Sequence, residues 1–121
     1  MPIKKILVVD DSPTDRQFLL EGLSKLGFQV VLADSGEQGI AKAKSEKPDL
    51  VLMDVVMPGT NGFQATRQIA RDEATKNIPV IMCTSKSQET DRIWGMRQGA
   101  KDYVVKPIKI DELAAKIAAL G

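Results

Sequence analysis

Histidine is absent from the 121 residues. That absence removes Ser-His-Asp and Cys-His nucleophile chemistry and every zinc site that needs an imidazole. It also means that the chain cannot carry a phosphohistidine, so any phosphohistidine donor would have to be another protein. The single cysteine, Cys83, rules out an internal disulfide. Within Val80-Ile81-Met82-Cys83 it reads as a small buried hydrophobe, with a reactive thiol as the alternative. No apolar run approaches the ~20 residues of a membrane helix. The lysines of Met1-Pro2-Ile3-Lys4-Lys5 are not followed by a long apolar stretch and cleavage site, so no signal peptide is expected and the cytoplasm is the expected compartment. With 17 basic and 16 acidic residues the net charge is +1, which gives no footprint for nucleic acid. Linkers, low-complexity segments and repeats are also missing.

What is present is an alternation of short apolar runs and helical patterns. The runs are Ile6 to Val9, Val30 to Leu32, Leu50 to Met53, Val80 to Cys83 and Tyr103 to Val105. They do not alternate with polar residues, as in parallel strands covered on both faces. The first helix is opened by Ser12 as N-cap and Pro13 at its first position, with Asp15 completing an S-x-x-D box. Leu19, Leu20, Leu23 and Leu26 form its apolar face and Gly27 ends it. Ser35 with Gln38 repeats the box, and Pro48 follows that helix. A third helix from about Phe63 to Arg71 offers Phe63, Thr66, Ile69 and Ala70. A fourth runs from about Gln88 to Gln98. The fifth, from about Asp111 to Leu120, turns Leu113, Ala114, Ile117 and Leu120 inward.

Five βα units in this length leave no room for a second domain. Right-handed crossovers put helices on both faces of the sheet, a doubly wound α/β fold. The flavodoxin-like strand order 2-1-3-4-5 fits, with its ligand crevice at the carboxyl ends of strands 1 and 3.

Those ends carry the polar residues. Strand 1 ends in Asp10-Asp11, strand 3 in Asp54, strand 4 in Thr84-Ser85 and strand 5 in Lys106-Pro107. Three carboxylates in one crevice repel one another, and a hard divalent cation relieves this. All-oxygen ligands favour Mg²⁺ or Mn²⁺ over zinc. Asp54 is the best nucleophile for phosphoryl transfer. Lys106 would offset phosphoryl charge and Thr84 would donate its hydroxyl. Taken singly, each has a plainer role: Asp10 and Asp11 as helix-capping acids, Lys106 as a solvated lysine, Thr84 as a strand-end hydroxyl.

These motifs, in this order and spacing, resemble a response-regulator receiver domain from end to end. The matching residues are Ile6-Leu7-Val8-Val9-Asp10-Asp11-Ser12, Asp54-Val55-Val56-Met57-Pro58 with Gly62, Thr84-Ser85 and Tyr103-Val104-Val105-Lys106-Pro107. The resemblance implies that Asp54 is phosphorylated and that Asp10, Asp11, Asp54 and the Val56 carbonyl hold Mg²⁺. It implies that Lys106 and Thr84 contact the phosphoryl group, with the Lys106-Pro107 peptide cis. Tyr103 would be the switch aromatic that follows Thr84, remodelling the face of helix 4, strand 5 and helix 5. A half-buried tyrosine without a switching role is the plainer alternative. Trp94 is either a packing residue or a partner contact on that face. Arg71-Asp72-Glu73 with Lys76 reads as a solvated helix end.

The chain ends after helix 5, so residues 1–121 are expected to form a single receiver domain without an output domain, of the CheY-like class. Asn61 to Gln68 and Gln88 to Ala100 resemble the PilH-type regulators of chemosensory systems that control type IV pili and twitching motility. The implied partners are a histidine kinase or histidine phosphotransfer domain and a downstream protein target, with no nucleic acid and no membrane insertion. The chain would be a signalling domain that promotes its own phosphorylation and dephosphorylation, not an enzyme. A Mg²⁺-dependent phosphohydrolase with an aspartyl-phosphate is the alternative, but the usual Asp-x-Asp and cap insertion are missing. A flavin module would need a Ser/Thr-rich phosphate loop after strand 1. A P-loop nucleotidase would need G-x-x-x-x-G-K-[S/T], which does not occur.

Overall fold

The five apolar runs become five parallel strands because most of their residues are covered on both faces. In the computed structural model, which describes residues 3–55, 57, 59–84 and 89–120 (for 89–91 only the backbone), these are β1 (Lys5–Val9), β2 (Gln29–Ala33), β3 (Leu50–Asp54), β4 (Val80–Thr84) and β5 (Asp102–Val105). They form one sheet in the order β2-β1-β3-β4-β5. Every adjacent pair is parallel, with Val9 beside Met53, Asp54 beside Cys83 and Thr84 beside Val105. β3 and β4 are buried at every position, whereas the edge strands β2 and β5 are only partly so.

Alternate residues of each strand feed opposite cores. Leu7, Val9, Val51, Met53 and Met82 pack with Ala43 of α2 (Gly36–Glu46) and with Ala65 and Ile69 of α3 (Gly62–Arg71). Ile6, Val8, Leu50, Leu52 and Ile81 pack with Leu19 and Leu23 of α1 (Pro13–Lys25) and with Leu113 and Ile117 of α5 (Ile110–Leu120). α4 (Glu89–Arg97) approaches the first core through Gly95, where an added Cβ would meet Met82 and Phe63. Its Ile93, Trp94 and Met96 stay exposed.

The helix boundaries follow their caps. Ser12 Oγ accepts the Asp15 amide and Ser35 Oγ accepts the Gln38 amide. Neither box closes. The Ser12 N–H donates to Asp10, and Gln38 Oε1 accepts from Asp34 instead of Ser35. The reciprocal box is at α3, between Asn61 and Gln64. Gly27 follows the C-cap Leu26 with φ +94°, a conformation suited to glycine.

Several inward assignments need correction. Leu26 is 49% exposed, because as the C-cap it has left the helical face. Leu120 is exposed at the last turn of α5. On α3, Ala65 is buried while Phe63 and Ala70 are only half-buried. Phe63 nevertheless packs against the first core and also meets Trp94 edge-on at 6.5 Å. Gln88, the expected start of the fourth helix, lies outside the described residues. Past α3, Asp72 pairs with Lys44 and Glu73 with Lys76, as a solvated helix end would.

Candidate functional site

Asp10 follows β1 and is 1% exposed. A carboxylate there needs partners in place of water. The Ser12 amide donates to Oδ1 at 2.9 Å and the Lys106 ammonium to Oδ2 at 2.9 Å. Arg16 donates to the Asp10 carbonyl oxygen at 2.7 Å. Asp54 is buried at the end of β3, beside Asp10, because β1 and β3 are neighbours. Asp11 is exposed on the rim. One carboxylate oxygen from each of Asp10, Asp11 and Asp54 lies within 4.8 Å of the others.

Lys106 follows β5 and reaches across the sheet end. Its peptide bond to Pro107 is cis, and its amide donates to the Thr84 carbonyl at 2.7 Å. The ammonium lies 2.9 Å from Asp10, 3.0 Å from Asp15 and 3.1 Å from Asp54. Burial opposes the lysine's charge, but hydrogen bonds to Asp10, Asp15 and Asp54 outweigh it and hold its pKa above the ordinary value. Asp54 moves up to about 6: burial contributes most and the Asp10 charge adds, while Lys106 pulls back.

The sheet thus brings together Asp10, Asp11, Asp54 and Lys106. Thr84 is buried at the end of β4, next to β3. Val56 and Ser85, also expected here, lie outside the described residues. Tyr103 is half-buried on β5, with the Arg92 guanidinium 5.4 Å and the Lys116 ammonium 6.0 Å from its ring centre. Cys83 is buried, which pushes its thiol up to about 12 and leaves it a hydrophobe.

Asp15 was not foreseen at the site. Its spacing from Ser12 fits a capping box, yet its carboxylate pairs with Lys106. Only the α1–β5 geometry reveals that contact.

Gly62 and Thr60, after Asp54, each make a close contact. Gly62 lies so near the Asp54 carbonyl and Val55 that a Cβ would collide with their backbone. Glu37 accepts the Thr60 amide at 3.0 Å, tying the loop to α2.

The chemistry of the donors suits a hard cation. One ammonium faces three carboxylates, Asp11 adds a fourth, and no nitrogen or sulfur ligand intrudes among the described residues.

Residues 6–118 match the response regulator receiver domain. The chain belongs to that family. It is 55% identical to Protein PilH of Pseudomonas aeruginosa over 116 residues, covering 96% of both chains. It is 39% identical to the phosphate regulon transcriptional regulatory protein PhoB of the same species, spanning 97% of this chain but about half, 51%, of that relative. Chemotaxis protein CheY4 of Vibrio cholerae superposes with a TM-score of 0.92 at 28% identity, over 98% of this chain and 99% of that one. CheY in a CheX-CheY-BeF3-Mg²⁺ complex from Borrelia burgdorferi gives 0.90 at 28%, over 97% and 88%. The protein is a receiver-type signalling domain, similar to PilH and to CheY. No helix among the described residues is long and apolar enough to cross a membrane.

Proposed function

We propose that Asp54 accepts a phosphoryl group from the phosphohistidine of a partner kinase or phosphotransfer domain, and that the modified domain is read by a downstream protein. The observation that carries this is a buried Asp54 held 3.1 Å from Lys106 beside two further acids. An Asp54 oxygen attacks phosphorus. The new O–P bond forms as the P–N bond to the donor imidazole breaks, and the electron pair leaves with that nitrogen. The Lys106 ammonium donates to a phosphoryl oxygen, and the Thr84 hydroxyl donates to another. Asp10, Asp11 and Asp54, with the Val56 carbonyl, would hold Mg²⁺, which supplies positive charge to the phosphoryl oxygens. Water later cleaves the O–P bond at the same residues and restores Asp54. The similarity to a CheY solved with Mg²⁺ and BeF3 supports this assignment.

For output, Thr84 draws toward the phosphoryl group and Tyr103 follows, altering the face of α4, β5 and α5. The half-exposed Trp94 and the cations over Tyr103 are suited to reporting that change. Similarity to PilH along nearly its whole length supports a stand-alone cytoplasmic regulator in type IV pilus and twitching-motility signalling. The test is Mg²⁺ with acetyl phosphate, on wild type and Asp54→Asn, followed by NMR. Wild type should be modified and shift at Tyr103 and Trp94. Equal modification of the variant rejects Asp54 as acceptor, and unmoved Tyr103 and Trp94 reject the output face.

A further inference from the structure

The Lys106 ammonium donates hydrogen bonds to Asp10 and Asp15 and lies 3.1 Å from Asp54, so three carboxylates surround one cation. Asp15 is unlike the other two. Its side chain is 44% exposed, and it is not one of the three acids whose oxygens converge. It stands on the first turn of α1, its amide capped by Ser12, so its backbone is well fixed.

We propose that Asp15 is a positioning residue that competes with the phosphoryl group for the Lys106 ammonium and so weakens the site's hold on that group. This rests on Asp54 being the acceptor. Phosphorylation turns the Asp54 carboxylate into a neutral acyl group, and a phosphoryl oxygen that draws Lys106 toward itself then competes with the two carboxylates to which the ammonium donates, Asp10 and Asp15. Asp10 is buried, and stripping its cation would leave an uncompensated charge. Of those two, Asp15 is the one open to water, so its contact is the one released. The released carboxylate then stays close to a group carrying about −1.5 to −2 charges, which disfavours the loaded state. With the site unloaded, Asp15 holds the ammonium at the crevice from the α1 side.

Beryllofluoride with Mg²⁺ serves as the probe, its binding followed by fluorine NMR. Asp15→Asn should bind it about two- to fivefold more tightly, and Asp15→Glu, which keeps the charge, should stay near wild type. Unfolding midpoints check that the variants are folded. In the beryllofluoride-bound wild-type structure, Lys106 should contact a fluorine and lie beyond about 4 Å from Asp15. Unchanged or weaker binding by Asp15→Asn, or a fluorine-bound Lys106 still paired with Asp15, overturns the competition. No binding to wild type would instead overturn the function proposed for Asp54, and this inference with it.

Discussion

The Lys106 ammonium lies 2.9 Å from Oδ2 of Asp10, joining residues 96 apart in the chain across the carboxyl end of the sheet. It compensates a carboxylate that is almost wholly out of water. Replacing the cation by an apolar chain leaves that charge buried alone. Lys106→Met should therefore destabilise the metal-free protein by about 2–3 kcal/mol. The same change should tighten Mg²⁺ binding, because the ion no longer competes with an ammonium. Urea unfolding with and without Mg²⁺ measures both.

Asp54 makes a pH prediction. Its folded pKa, about 6, lies above its ordinary 3.8. The folded state therefore holds the proton more tightly than the unfolded state. The stability this contributes is complete below about pH 4 and is lost as pH rises through about 6. Above that, the ionised carboxylate opposes folding. In metal-free buffer Asp54→Asn should be more stable than wild type at about pH 7, by roughly 1–2 kcal/mol. The gap should close toward about pH 4. A gap that widens on acidification would contradict the environment described for Asp54.

Asp49 shows the opposite sign. Its Oδ2 accepts the amides of Lys4 and Lys5 at 2.9 and 3.0 Å, which holds its pKa below the ordinary value. That contribution is present above the unfolded value of about 4 and is lost as pH falls through the lower folded one. Asp49→Ala should cost about 1 kcal/mol at neutral pH. Measured by denaturant titration, the cost should fade in acid.

Gly62→Ala tests the packing of the loop after Asp54. The added methyl group meets the Asp54 carbonyl and Val55 backbone, which cannot move aside as a flexible side chain would. A loss of more than about 2 kcal/mol is expected, with slower modification by acetyl phosphate because the backbone of Asp54, the proposed acceptor, shifts. A fully stable, fully reactive variant would contradict the close approach.

Which features could be read from sequence depended on how local their causes are. Leu50 to Met53 and Val80 to Cys83 stood out because strands buried on both faces leave no polar position to confuse the pattern. Asp10, Asp54 and Lys106 could be grouped because a parallel sheet gathers strand ends, whatever their separation in the chain. Asp15 could not be added. Locally it matches a capping acid, and its partner is 91 residues away. Ala65 was harder to read because its small side chain is a weak apolar signal, although it is wholly buried in the core that Phe63 covers only in part.

Asp54 is proposed to carry the phosphoryl group in a cation-dependent reaction. The most direct measurement treats the protein with acetyl phosphate and Mg²⁺, reduces it with borohydride and maps the peptides by mass spectrometry. Borohydride converts an aspartyl phosphate to homoserine, so the modified position is marked. Homoserine should appear at position 54 alone, and only when Mg²⁺ is present. Homoserine at another aspartate, or at position 54 when the metal is chelated, would contradict the account.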